Sequence, residues 1–422
     1  MEKKIKIGLI GLGTVGSGVF KTLKSFDNVE VTKIAVRNIN KKRDIEGLDN
    51  SIITDNAYEV VNDPDIDIVA ELVGGIEPAF ELITTAIKNG KHIVTANKEL
   101  LAKRGEELFN IAEEYNKVVL YEAAIAGGIP IIMPVKTILA GNKINHIEAI
   151  VNGTTNYILT KMDVQKASYN DVLKEAQELG YAEADPTGDV EGFDAAYKIA
   201  TLASITFQKR IKIENVYREG ITKIRSEDME AANDLGYKIK LIASAHMDEE
   251  GNADVRVHPM LVSKKSTLAH IDYVTNAVSL SGHPVGSITL SGPGAGEFPT
   301  ASSVVGDILA IAAEIGKSEY ILPMMRCKHN STAHMVDISE TTNKYYLSIT
   351  AKNNKGVIGK IGTICADNNI SLASIVQRCV SDDNTANITV ITELVKEKNM
   401  QNAIKLIEQD GNKVNSLIRV QV

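Results

Sequence analysis

Asp194 and Lys198 stand four residues apart in FDAAYKIATLASITF, an amphipathic stretch with few charges, so on a helix they share one face. Upstream, residues 180–192 (GYAEADPTGDVEG) place Glu183, Asp185, Asp189 and Glu191 in a loop broken by a proline and glycines. An ammonium held among carboxylates in a desolvated cleft can pass a proton to or from a substrate hydroxyl or carbonyl. The same spacing also describes an ordinary surface ion pair, worth roughly 0.2–0.5 kcal/mol. Ala195, Ala196, Ile199, Ala200 and Leu202 favour a buried helix, where an unpaired lysine is costly. The upstream loop is long enough to carry Glu183 to the same place.

A second set of residues suits a phosphate. Gly11-Leu12-Gly13-Thr14-Val15-Gly16 directly follows the apolar run IKIGLI and opens a helical pattern. Glycines at these positions allow a tight turn and let a pyrophosphate rest on a helix N-terminus. The second apolar run ends AVRNINKKR, with no acid for a free ribose 2′-hydroxyl. Arg37, followed by Lys41, Lys42 and Arg43, instead suits a 2′-phosphate, because guanidinium binds phosphate with bidentate geometry. NADP(H) is therefore expected over NAD(H), and a solvated basic turn is the alternative.

The elements that must position these residues fall into three rhythms. From 1 to 130, short Val- and Ile-rich runs at 5–10, 29–36, 65–73, 91–96 and 118–124 read as strands alternating with helices. That pattern predicts a mostly parallel, doubly wound, Rossmann-like α/β domain. Ligands bind beyond the carboxyl ends of such strands. Gly74-Gly75, Asn97-Lys98 and Ala126-Gly127-Gly128 all fall there, which aims Lys98 at the crevice unless it is only a surface charge at a helix start. From 131 to 340, strand and helix patterns predict an α+β domain for substrate and dimerisation, with a helix beginning near Asn152 to Thr155. Its glycine-rich loop Ser291 to Gly296 either closes over the nicotinamide ribose or turns between domains. From 345 to 422 a complete βαββαβ unit follows, and the polar stretch ISETTNK suits a linker.

Composition narrows the function. A formal charge of −8 argues against a nucleic-acid partner, which would call for a basic patch. No apolar run is long enough to span a bilayer, and the expected location is cytoplasmic. Cys327, Cys365 and Cys379 all lie late and without paired spacing, which predicts neither a disulfide framework nor a zinc site. A semialdehyde dehydrogenase forming an acyl-phosphate would need a catalytic cysteine, and none precedes Cys327. Another Rossmann-fold amino-acid reductase and a non-enzymatic amino-acid sensor remain as alternatives.

Taken together, AQELGYAEADPTGDVEGFDAAYK, TANKELLA, EAAIAGGIP and NGTTNYI resemble the homoserine dehydrogenase family over nearly the whole chain, with a ferredoxin-like ACT regulatory domain at the C-terminus. The resemblance implies interconversion of L-homoserine and L-aspartate 4-semialdehyde in threonine and methionine biosynthesis. It implies that Lys198 gives and takes the proton at the substrate oxygen, that Glu183 and Asp194 orient the ammonium and hydroxyl groups, and that Lys98 lies at substrate and nicotinamide. It also implies a monovalent cation, usually sodium, on the carbonyls of Glu122, Ile125, Gly127 and Ile129. Apolar stretches such as GIPIIMPVKTILAG and ILAIAAEIG suggest a homodimer or higher homo-oligomer, and the resemblance implies threonine as an effector. The ACT turn reads KNNKGVIG, where relatives often carry Asp and Pro before the glycine, and assembly alone is the other role for that domain. With no aspartokinase segment in view, a single activity is expected.

Overall fold

The structure is a computed structural model that describes residues 4–317, 321–327, 329, 331–380 and 385–422. Two compact units form from interleaved stretches. The first comprises Met1–Ile147, Tyr197–Val216 and Thr275–Ala333, and the second Glu148–Ala196, Tyr217–Val274 and His334–Val422. The helix Phe193–Phe207 carries the chain from the second unit into the first.

In the first unit six parallel strands lie in the order Ile53–Thr54, Val29–Ala35, Ile5–Ile10, Ile68–Glu71, His92–Thr95, Val119–Leu120. This is the doubly wound order in which the chain reverses direction beside the first strand. Ile7, Leu9, Ile34, Ile68, Val69, Ile93 and Val94 are fully buried. Burial on both faces explains why these runs read as continuously apolar rather than alternating. The run at 118–124 is a shorter strand than its composition predicts: only Val119–Leu120 pair, and Ala123–Ala126 turn into a helix. The cause is polar. The Glu122 amide donates to the Asp307 carboxylate at 2.8 Å, which takes it out of any ladder. A hairpin of Thr275–His283 with Gly286–Pro293 then leads into the helix Glu297–Glu314, which packs on Thr14–Leu23.

In the second unit the strands Tyr237–Met247 and Asn252–Ser263 pair antiparallel. Asn252–Ser263 also takes the last strand, Lys413–Val420, in parallel through Met260 with Arg419 and Leu261 with Val420. Lys413–Val420 continues antiparallel to Thr342–Lys352, then Thr385–Thr392, then Leu372–Val380. With the helices Val357–Asp367 and Glu397–Gln409 these strands complete the βαββαβ pattern around Leu347, Ile349, Ile361, Ile388, Met400 and Ile407. The polar stretch suited to a linker is in fact ordered into this sheet. Asn343 is buried and pairs with Val395, its side-chain amide donating to Thr341 Oγ1 and the Tyr345 hydroxyl, each at 3.1 Å.

Among the described residues no helix is long and apolar enough to cross a membrane. No group of three or more His, Cys, Asp or Glu side chains among them would hold a metal ion. Cys327 and Cys365 are free thiols, and the Cys379 side chain lies outside the described residues.

Candidate active site

The glycine turn has the shape a dinucleotide needs. Gly11 takes φ +108°, and a Cβ on Gly16 would lie 2.2 Å from the Gly11 carbonyl oxygen, so the turn closes only on glycine. The helix Thr14–Leu23 starts at Gly13, which offers no side chain to its first amides. Those N–H groups are left to face a phosphate, as the dinucleotide-binding turn requires. Thr14 and Val15 are the first two residues of that helix.

Beyond the second strand, Arg37 is exposed. Arg43 is engaged elsewhere: its guanidinium donates to the carbonyls of Lys41 and Asn38, each at 2.8 Å, and so folds the basic turn on itself. Of the two arginines, Arg37 is exposed and Arg43 is half-buried.

The loops after the next two strands are tied together. Lys98, half-buried, is the first residue of the helix Lys98–Glu114, and Asn97 caps that helix by accepting the Leu100 amide at 3.1 Å. Five residues on, the Lys103 ammonium lies 5.4 Å from the centre of the Tyr197 ring, so the Lys98 helix runs beside the start of the first unit's share of Phe193–Phe207.

Glu122 does more than the carbonyl role the resemblance implies. Its buried carboxylate accepts the amides of Ile131, Ile132 and Met133 at 2.5, 2.7 and 2.7 Å and so caps the helix Ile132–Lys136. Burial holds the Asp307 carboxyl well above the usual carboxylate range, an effect that the hydrogen bond from the Glu122 amide opposes and the Glu122 carboxylate charge reinforces. Residues 122 to 129 thereby become a rigid turn. A Cβ on Gly127 would lie 2.2 Å from the Gly294 carbonyl oxygen, and the Gly128 amide donates to Pro293 at 3.1 Å. The two glycine loops therefore stack backbone on backbone. Carbonyl oxygens of this kind suit a hard monovalent cation. The Gly127 carbonyl accepts the Ser303 hydroxyl at 2.6 Å. Gly296, at φ +118°, ends the second loop, and the next residue, Glu297, meets Lys21 of the first helix at 2.7 Å.

In the second unit Asp194 is 7% exposed. Asn152 donates from its side-chain amide to Asp194 at 3.0 Å and to Asp189 at 2.7 Å. The same Asn152 caps the helix Gly153–Gln165 by accepting the Thr155 amide at 2.9 Å. Glu183 is exposed, and its carbonyl accepts from Gln177 at 3.0 Å. One turn after Asp194 along the helix, Lys198 is only 9% exposed, so the ordinary surface ion pair does not describe it. Sequence reasoning placed Asn152 in a polar turn but missed that it binds two acids. The signal was the segment NGTTNYI, read as a helix start and as a family block but with no acid assigned to Asn152.

A Rossmann-type sheet with a glycine turn open to a dinucleotide, together with a buried acid and lysine on one helix, defines an α/β nicotinamide-dependent oxidoreductase. The family model described as homoserine dehydrogenase, NAD binding domain matches residues 11–143, that described as homoserine dehydrogenase matches 130–309, and the ACT domain model matches 345–412. The chain is 43% identical to the homoserine dehydrogenase of Synechocystis sp. over 88% of its own length and 89% of that protein's. It superposes on a homoserine dehydrogenase crystal structure from Thiobacillus denitrificans with a TM-score of 0.93 at 40% identity, covering 99% of this chain and 98% of that one. A hyperthermophilic archaeal homoserine dehydrogenase solved in complex with NADPH is 27% identical with a TM-score of 0.63, covering 74% of this chain and 98% of that one. The chain belongs to the homoserine dehydrogenase family.

Proposed function

We propose that the chain interconverts L-homoserine and L-aspartate 4-semialdehyde with NADP(H), Lys198 protonating the aldehyde oxygen in reduction and taking the hydroxyl proton in oxidation. The observation that carries this reading is Lys198 itself, buried one helical turn after Asp194 in the segment that resembles the family signature. The dinucleotide, when bound, supplies or accepts the hydride. Asp194, steadied by Asn152, and Glu183 orient the substrate's ammonium and hydroxyl groups, while Lys98 borders substrate and nicotinamide. Arg37 favours the 2′-phosphate, and the NADPH held by the archaeal relative supports that preference.

In this reading residues 1–130 bind the dinucleotide, 131–340 bind substrate and pair subunits, and 345–422 form the regulatory ACT domain. Sodium on the carbonyls of Glu122, Ile125, Gly127 and Ile129 braces the substrate loop, and Gly296 lies in the loop over the nicotinamide ribose. Threonine, as product of the pathway served, is the effector assigned to the ACT domain, in a cytoplasmic homodimer.

Initial rates of homoserine oxidation with NADP and with NAD test the reading directly. Reduction of neither dinucleotide would reject the activity. A kcat/KM for NAD equal to or above that for NADP would reject the preference alone.

A further inference from the structure

Glu71 ends the strand Ile68–Glu71 and is fully buried. Its Oε1 accepts the amides of Val73 at 3.0 Å and Gly74 at 2.9 Å, and its Oε2 accepts the Thr95 hydroxyl at 2.6 Å. Thr95 Oγ1 in turn accepts the Asn97 amide at 3.0 Å. Asn97 closes the circuit, donating from its side chain to the Gly75 carbonyl at 2.6 Å while its own oxygen caps the Lys98 helix. The ring thus joins the ends of two neighbouring strands to the two loops that follow them. Gly74 and Gly75 take φ +72° and +75°, and both face open space. The turn they form is held from behind by Glu71 rather than by packing.

We propose that Glu71 is a positioning residue of the reaction: it locks the Gly74-Gly75 turn and the first turn of the Lys98 helix into one rigid rim beside the nicotinamide. The inference rests on the reading that places Lys98 at substrate and nicotinamide. A buried carboxyl satisfied by three donors has no freedom to drift, and side chains locked in this way keep a site within the tolerance catalysis needs. A misplacement of about 1 Å can cost on the order of 10²-fold in rate.

The experiment compares Glu71→Leu, Glu71→Gln and Thr95→Val with the parent protein, each alone and combined with Lys98→Ala. It measures kcat, both KM values and the unfolding temperature. Glu71→Leu is expected to lower kcat/KM for homoserine on the order of 10- to 10²-fold. Glu71→Gln keeps an oxygen for the two amides and recovers most of that loss. Against Lys98→Ala the Glu71→Leu effect should largely vanish, because both changes act on the same rim. Thr95→Val cuts only the link between Glu71 and Asn97, and is expected to lower kcat/KM in the same direction even if Glu71→Leu fails to fold. Undiminished turnover in both Glu71→Leu and Thr95→Val, or a full Glu71 effect persisting without Lys98, would overturn the inference. So would a loss of rate no larger than the loss of folded protein. Full activity of Lys98→Ala alone would instead reject the underlying reading of Lys98, with no Glu71 variant needed to see it.

Discussion

The Arg419 guanidinium lies 2.9 Å from the Glu397 carboxylate, with side chains 1% and 4% exposed. Arg419 also meets Glu219 at 3.0 Å, and the Tyr345 hydroxyl donates to Glu397 at 2.5 Å. Burial pushes the Tyr217 hydroxyl up to about 12 against the opposing charge of Arg419, so it stays protonated across the physiological range. These groups join the last strand of the chain to the segment Tyr217–Arg218 and to the helix Glu397–Gln409. Removing one partner of a buried pair leaves the other charge without compensation. Arg419→Met should therefore cost about 3–5 kcal/mol. Adding Glu397→Gln should return part of that loss, read by urea unfolding of the intact chain.

Lys198→Ala should lower kcat by a factor on the order of 10² to 10⁴ with little change in dinucleotide affinity. Single-turnover rates and a fluorescence titration with NADPH separate the two effects. Near-parental turnover would remove the lysine from the chemistry.

Asn152→Ala removes a helix cap, worth about 1 kcal/mol, and frees two carboxylates that one amide now restrains. The expected kinetic result is a raised KM for homoserine with the KM for NADP unchanged. Equal shifts in both would point to general unfolding instead.

Arg37→Asp should invert the cofactor ratio, because a carboxylate repels a 2′-phosphate and accepts from a free 2′-hydroxyl. Comparing kcat/KM for NADP and NAD in parent and variant decides it, and an unchanged ratio would leave Arg37 with no part in selection.

The pH dependence of stability has a definite sign at His92. Its Nδ1 accepts the Val118 amide at 3.2 Å, and burial lowers its pKa from 6.5 to about 4. Above about pH 6.5 the ring is neutral whether the chain is folded or not, and the stability it contributes is fully present. As pH falls toward 4 the unfolded chain takes up a proton that the folded chain refuses, so stability is progressively lost. Half-buried His329, also lowered to about 4, adds in the same direction. His92→Gln should flatten the fall in unfolding temperature between pH 6.5 and 4.5, and an identical slope in the variant would exclude His92 as a source.

How legible the site was in the sequence depends on how local its causes are. The glycine turn at 11–16 and the strands around it were readable because φ above zero, helix starts and apolar runs are properties of a few adjacent residues. The pair Asp194 and Lys198 was readable for the same reason, since helical spacing alone puts them on one face. The Val119–Leu120 strand was misread as longer because the competing partner of Glu122 lies 185 residues away, at Asp307. No window of sequence contains that choice.

Local chemistry in the chain determined the kinds of element, the dinucleotide turn, the basic residue beyond the second strand and the acid and lysine sharing a helix. Tertiary structure alone decided which distant groups complete them: Asn152 on Asp189 and Asp194, Glu71 beneath Gly74 and beside Thr95, and the final strand joined to Asn252–Ser263. A buried polar group must find a partner, and sequence displays the need without displaying which of many remote donors the folded backbone brings within 3 Å.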